Sequence, residues 1–305
     1  MTEPQIVDTG MHGFARLTAC FLLSGPRPAL IETGPKSSAP SVLRQLDDLG
    51  VKHLEWIVVT HIHLDHAGAA GTLAKHFPDA RIAVHEVGAP HLVDPAKLWS
   101  SAARIYGDRM DELWGGIDPI AKDRIQVLKD GDRVDLGNGR TLEAIDTPGH
   151  ARHHHAYLDD ATGNLFVGDA LGVRLPDVKV IRPATPPPEF NLEDALASID
   201  RIREREPARL WLTHFGPADF QLHALCAEAK TALLTWAGWV EQARAQTNDL
   251  DAAAALVEGQ ARADMEARVE PEAARRMSQA TSYWMNTWGY MRYFDKKQAT
   301  PAGGL

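Results

Sequence analysis

The chain has 305 residues, 44% of them hydrophobic and 24% charged, with a formal net charge of −9. That is the composition of an ordinary soluble protein, long enough for a large core and one or two domains, and the acidic balance argues against a general nucleic-acid surface. The two cysteines, Cys20 and Cys226, are too far apart in sequence to suggest a disulfide framework, which fits a reducing cytoplasm; no basic region leads into an apolar N-terminal segment, and no apolar run approaches the length of a membrane-spanning helix.

In chain order, residues 5–34 read as strands, with apolar runs at 18–23 and 29–34 on either side of a Gly25-Pro26 turn. Residues 38–49 read as a helix, with Val42, Leu43, Leu46 and Leu49 in one stripe and Gly50 placed to stop it. Trp56-Ile57-Val58-Val59 is a short, β-branched apolar run that reads as a buried strand. It leads into Thr60-His61-Ile62-His63-Leu64-Asp65-His66-Ala67-Gly68, where four side chains that bind metals sit within six residues. Small residues follow, reading as a helix start. In an extended segment side chains at i and i+2 share a side, so His61 and His63 can hold one cation together. Asp65 and His66 lie past the turn and can face a second. Imidazole and carboxylate suit zinc, iron or manganese better than calcium or magnesium.

Residues 81–85 form the next expected strand, ending in His85. Residues 88–124 then interrupt the pattern and carry Leu92, Trp99, Ile105, Tyr106, Met110, Leu113, Trp114 and Ile117. The spacing predicts one or two helices; whether they line a pocket or pack among themselves is open. Residues 125–139 alternate short strands with glycine turns and open the second half of the fold. Three more strand ends repeat one pattern, an apolar run, one candidate ligand, then a small or turn residue: His150 after Thr147-Pro148-Gly149, Asp169 after Gly168, and His214 before Phe215-Gly216. Residues 181–190 are proline-rich and read as a rigid surface loop and a pocket wall. Asn191 is placed to cap a helix carrying Leu192, Leu196, Ile199 and Ile202. Beyond Leu222 the pattern is helical, with Leu225, Ala229, Leu233, Trp236 and Val240 in one stripe. The last helix, about 271–296, carries a wide aromatic face (Tyr283, Trp284, Trp288, Tyr290, Phe294) that must bury against the rest of the chain, cap a site or join a dimer. Residues 298–305 read as a disordered tail.

The HxHxDH stretch, the TPGH turn, the GD strand end and the THFG strand end, in this order, resemble the metallo-β-lactamase superfamily of metal-dependent hydrolases, in its lactonase and glyoxalase II-like branch. The resemblance covers about residues 5–220. It implies an α/β fold, the αββα metallo-β-lactamase sandwich, with the helical insertion at about 88–124. In that frame residues 1–220 are the catalytic domain, 221–297 a C-terminal helical extension and 298–305 the tail. It also implies two divalent metal ions, zinc first, with iron or manganese as alternatives. His61, His63 and His150 would bind the first; Asp65, His66 and His214 the second; Asp169 would bridge both. Two ions about 3.5–4 Å apart can share a water, lower its pKa to near 7 and hold the hydroxide as nucleophile, with Asp65 able to carry a proton to the leaving group.

Departures from the family pattern matter as well. Glu32 stands where the family's L-I-D-T-G strand has aspartate, and a loop-fixing and a purely structural role are both open. His154 matches a position that supports the site, whereas His85, His153 and His155 match no ligand. Gly172 replaces the tyrosine that quorum-sensing lactonases aim at the substrate carbonyl; a tyrosine from elsewhere, such as Tyr106 or Tyr283, could substitute. The resulting expectation is a dinuclear hydrolase of a small-molecule ester, a lactone or thioester with an apolar portion. It is expected to be cytoplasmic, without nucleic-acid or membrane partners, and with a homodimer left open. The alternatives are a phosphodiesterase, a mononuclear-iron persulfide dioxygenase, or a non-catalytic metal-stabilised binding protein.

Overall fold

The computed structural model describes residues 3–218 and 221–299. The chain divides into two compact units. The first comprises Met1–Asp146, His153–Gly168 and Pro207–Ala218; the second comprises Thr147–Arg152, Asp169–Glu206 and Asp219–Leu305.

The described residues of the first unit form two six-stranded sheets. One is built in sequence order from β1 (Gln5–Asp8), β2 (Ala19–Leu23), β3 (Ala29–Ile31), β4 (Trp56–Val58), β5 (Arg81–His85) and β6 (Ile125–Leu128). Its first two pairings are antiparallel and the next three parallel. The other holds β7 (Arg133–Gly137), β8 (Arg140–Asp146), β9 (His155–Asp159), β10 (Asn164–Phe166), β11 (Arg209–Leu212) and β12 (Gly216–Pro217), with only β10 and β11 parallel. Side chains alternate across each strand. On β2, Phe21 and Leu23 join a core that includes Tyr157, Phe166 and Trp211 of the other sheet, and the Phe21 ring lies 5.4 Å from those of both Phe166 and Trp211. Cys20 and Leu22 point the opposite way, into a core shared with Val42 and Leu46 of α1 (Ala39–Asp48). Both faces of β2 are therefore buried, so its sequence is a continuous apolar run.

After β4 come a one-turn helix, α2 (Leu64–Ala67), and α3 (Ala70–His76), whose Leu73 joins the same core. Asp65 and His66 thus lie on a helical turn, not on a loop ahead of the helix. The 88–124 segment forms three short helices, α4 (Ala89–Val93), α5 (Ala96–Tyr106) and α6 (Met110–Trp114), one more than the spacing predicts. Its place follows from topology: β5 and β6 are parallel neighbours, so the chain between them must cross the sheet. For the same reason β6 belongs to the first sheet, and the second sheet starts only at β7. The expectation that residues 125–139 as a whole open the second half is corrected on this point.

The second unit is helical: α7 (Leu192–Glu204), α8 (Leu222–Arg244), α9 (Leu250–Glu266), α10 (Pro271–Ala280) and α11 (Tyr283–Ala299). The Asn191 carboxamide accepts the Asp194 N–H at 3.0 Å and caps α7 as expected. The α8 stripe from Leu225 to Val240 is buried. Tyr283 stacks on Trp236 at 6.0 Å, and the Tyr290 hydroxyl donates to the Leu233 carbonyl at 2.8 Å. The expected last helix is two helices. The chain is extended at Thr281, and the Ser282 hydroxyl accepts the Met285 N–H to start α11. The first two residues of the expected disordered tail, Gln298 and Ala299, end α11; its remainder, 300–305, lies outside the described residues.

Residues 181–190 are not a surface loop. Arg182 is 1% exposed, and Pro183, Thr185, Pro186 and Pro187 are buried. Arg182 donates to the Thr281 carbonyl and to the Tyr283 hydroxyl, and its guanidinium lies 4.1 Å from the Tyr283 ring centre. Proline content predicts stiffness, but burial depends on these partners, about a hundred residues downstream.

Candidate metal centre

In the first unit the candidate ligands follow strand ends. β3, β4 and β5 run parallel, so Glu32, the 60–66 segment and His85 leave the sheet at one edge; His214 follows β11 in the same way. Each histidine needs a fixed tautomer to present a bare ring nitrogen to a metal. Hydrogen bonds supply it. The Thr60 hydroxyl donates to Glu32 Oε1 at 2.6 Å, so its oxygen accepts from His61 Nδ1 at 3.1 Å. His66 Nδ1 donates to Glu32 Oε1 at 3.0 Å, and His214 Nδ1 to the Leu17 carbonyl at 3.0 Å. All three leave Nε2 as the ligand atom. His63 turns its Nδ1 toward His61 Nε2, 2.9 Å away. Asp65 Oδ2 lies 3.5 Å from His66 Nε2 and 3.6 Å from His214 Nε2, and the ligand atoms of these three residues all lie within 4.8 Å of one another. Burial opposes ionisation of Asp65, but His66 and His214 outweigh it and hold the carboxyl well below the usual range. This donor set fits zinc, iron or manganese.

Glu32, left open by the sequence, has a defined task. It is fully buried and accepts from the Thr60 N–H, the Thr60 hydroxyl, His66 Nδ1 and the Thr213 hydroxyl. One carboxylate thereby fixes the residue before His61, the residue before His214, and His66 itself.

In the second unit, His150 and Asp169 come together, with His150 Nε2 3.6 Å from Asp169 Oδ2. The TPGH turn is built for this. Gly149 sits at φ +126°, and a Cβ there would lie 2.3 Å from the Ala195 nitrogen. The Ser198 hydroxyl donates to the Pro148 carbonyl at 2.6 Å. His150 Nδ1 donates to the Ala184 carbonyl at 2.9 Å, which again leaves the ring proton off Nε2. His150 and Asp169 line a water-sized cleft with Leu171, Gly172, Phe190 and Leu233, and residues 183, 184 and 190 form part of its wall.

His85, His153, His154 and His155 are buried as well. His154 packs where Gly168 leaves room: a Cβ at Gly168 would meet its Nε2 at 2.5 Å. His153 Nδ1 accepts from the Ile62 N–H at 3.4 Å. His155 and His85 converge on Asp146, a residue to which the sequence reading gave no role. His155 Nε2 is 2.7 Å and His85 Nε2 3.6 Å from the same carboxylate oxygen. His85 Nδ1 accepts the Val87 N–H at 3.0 Å, which puts its own proton on Nε2, facing Asp146. This cluster is therefore two imidazole donors on a carboxylate and not a set of bare ligand atoms. Burial first, then His155, lowers the His85 pKa, which keeps it neutral.

The two tyrosines considered as carbonyl partners differ. Tyr283 is taken up by Arg182 and Trp236. Tyr106, on α5 in the first unit, packs its ring 5.0 Å from Trp114, and burial followed by the charge of Asp65 pushes its hydroxyl above the ordinary value. Its hydroxyl therefore stays protonated at neutral pH.

Residues 13–214 match the family model of the metallo-β-lactamase superfamily. A metallo-β-lactamase fold-containing protein of Sulfurisphaera tokodaii is 27% identical over 215 residues, 69% of this chain and 77% of that protein. A hydroxyacylglutathione hydrolase of a Synechococcus strain is 29% identical over 195 residues, 64% of this chain but only 62% of the relative. The crystal structure of a metallo-β-lactamase family protein from Thermus thermophilus superposes with a TM-score of 0.67 at 20% identity, covering 99% of this chain and 95% of that one. That likeness is one of fold, and it runs through the C-terminal helices.

Proposed function

The chain belongs to the metallo-β-lactamase superfamily, and from that footing we propose that it is a dinuclear metal-dependent hydrolase of a small-molecule ester, a thioester or a lactone. His61, His63 and His150 are assigned to one ion, Asp65, His66 and His214 to the other, and Asp169 to both. One observation carries the reading: His61, His66, His150 and His214 each donate Nδ1–H to an oxygen acceptor, which leaves the ring proton off Nε2 in all four, the tautomer a metal-binding imidazole needs. Bound zinc ions would activate a water and polarise the substrate carbonyl. The chain's own residues do the rest. Glu32 holds His66 and the approaches to His61 and His214. Asp65 stays ionised. Tyr106 is assigned as the hydrogen-bond donor to the substrate's carbonyl oxygen, the role left open by Gly172. The hydroxyacylglutathione hydrolase relatives favour a thioester. Two free, buried cysteines suit a reducing compartment, and no described helix is long and apolar enough to cross a membrane.

The test is proton release at fixed pH by the zinc-loaded protein over lactones, aryl esters, thioesters and phosphodiesters, with Asp169→Asn as control. Turnover of thioesters or lactones that vanishes in the control is expected. Turnover of phosphodiesters alone would replace the carbonyl reading with the phosphodiesterase. Oxygen uptake on a persulfide, with one iron per chain, would replace it with the dioxygenase.

A further inference from the structure

His150 owes its tautomer to one backbone carbonyl, that of Ala184, and that carbonyl is held from elsewhere in the second unit. Asn286, on α11, is fully buried. Its Oδ1 accepts the Thr185 N–H at 3.0 Å, and its Nδ2 donates to the Pro183 carbonyl at 2.7 Å and to the Thr281 hydroxyl at 3.2 Å. One carboxamide thus grips the backbone on both sides of Ala184. The Thr185 hydroxyl returns a hydrogen bond to the Asn286 carbonyl at 3.1 Å. Gly289, one turn further along, permits this approach: a Cβ there would lie 1.7 Å from the Thr185 carbonyl oxygen. The path from the helix to the ligand is short and polar throughout: Asn286, the 183–185 backbone, the Ala184 carbonyl, His150.

We propose that Asn286 is a positioning residue for His150: by fixing the Ala184 carbonyl it sets the tautomer and aim of the imidazole, so that α11, which lies outside the span matching the family, governs metal affinity. The inference rests on the assignment of His150 as a metal ligand. Groups that orient a metal-binding imidazole commonly change affinity by about 10–100-fold when removed, and a backbone carbonyl cannot be removed by substitution. Asn286 is the side chain through which that carbonyl can be moved.

The experiment measures zinc affinity of the full chain by competition with a chromophoric chelator, and the denaturation midpoint of the zinc-free protein, for Asn286→Ala, His150→Ala and the double variant. Asn286→Ala should weaken one of two bound zinc ions by about 10–100-fold, and should add little in the His150→Ala background, because both act through one imidazole. Tyr290→Phe removes the hydrogen bond from α11 to Leu233 and is the control for helix stability. It should lower the midpoint and leave zinc affinity unchanged. The inference is overturned if Asn286→Ala behaves like Tyr290→Phe, or if its effect adds in full to that of His150→Ala. Should Asn286→Ala not fold, Asn286→Asp keeps the acceptor for Thr185 and loses the donor to Pro183; a reduced zinc affinity supports the inference, and a wild-type value overturns it. If His150→Ala itself binds two zinc ions at wild-type affinity, the ligand assignment fails, a result distinct from failure at Asn286 alone.

Discussion

Glu32 sits at φ +66°, a left-handed conformation that costs a non-glycine residue on the order of 1–3 kcal/mol. The four hydrogen bonds to its carboxylate are what hold it there. Glutamine at this position keeps the volume but has a single acceptor oxygen, so at least one buried donor among Thr60, His66 and Thr213 would face an amide NH2. Glu32→Gln is expected to lose about 1–3 kcal/mol of stability in urea denaturation and about 10–100-fold in zinc affinity through His66. An unchanged affinity would mean that Glu32 only fills space. The position of Glu32 in a family strand was legible in the sequence. Its partners were not, because they lie at 60, 66 and 213, as far as 181 residues away. The histidines behave the opposite way: their candidacy as ligands was visible from residue type and strand-end spacing, while the acceptors that set their tautomers were not.

At the scale of elements, the 88–124 segment shows how a crossover is tied down. Asp118 closes it onto α3 and the residues before α1. It accepts from the Thr72 hydroxyl at 2.6 Å and pairs with Lys75 at 2.8 Å and Lys36 at 3.1 Å. Gly71 lets the backbones meet, since a Cβ there would touch the Asp118 carbonyl at 2.1 Å. Burial opposes the charge on Asp118, but the hydrogen bonds from Lys75, Thr72 and Lys36 prevail and hold its pKa at about 2. The folded value is below the unfolded one of about 3.9, so the contribution is full at neutral pH and is lost as pH falls from about 4 through 2. The Lys75 side chain is 64% exposed, and solvent screening reduces the expected contribution to about 1 kcal/mol. Asp118→Asn should therefore be about 1 kcal/mol less stable than the parent at pH 7 and indistinguishable from it near pH 2, as read by denaturant titration across that range. A constant gap would place the effect in packing instead. The helices themselves were legible from apolar periodicity. Their number, and the assignment of β6 to the first sheet, depended on which strands pair.

Across the whole molecule, the span matching the family, 13–214, is shared between the two units, and α8–α11 lie beyond it. Buried polar groups are numerous where the candidate ligands lie: His61, His66, His150, Asp169 and His214 are all buried. An ion that binds such groups in the folded state alone would stabilise the fold. Zinc at about a hundred times its dissociation constant would add about 2.7 kcal/mol for one site, or roughly 4 °C in a chain of 305 residues. Chelated protein is expected to melt lower by that margin and to recover on addition of zinc, in a calorimetric scan. The same midpoint with and without chelator would show that these histidines do not bind metal.

The sequence by itself determined the family, the candidate ligands and their order along the chain. An apolar run, a ligand and a turn residue, four times over, is a local pattern, and the periods of two and 3.6 residues are written in consecutive positions. The tertiary structure alone decided what each group touches. It set the grip of Glu32 on two strand ends, the pairing of His85 and His155 on Asp146, and the burial of residues 181–190. It also set the break at Thr281 and the hold of Asn286 on the Ala184 carbonyl. A buried asparagine on the stripe of Tyr283 and Tyr290, three residues before a glycine, was the trace left in the sequence. Its meaning came only when packing brought α11 against a loop about a hundred residues earlier, because a hydrogen bond of that span is specified by the fold and not by neighbouring residues.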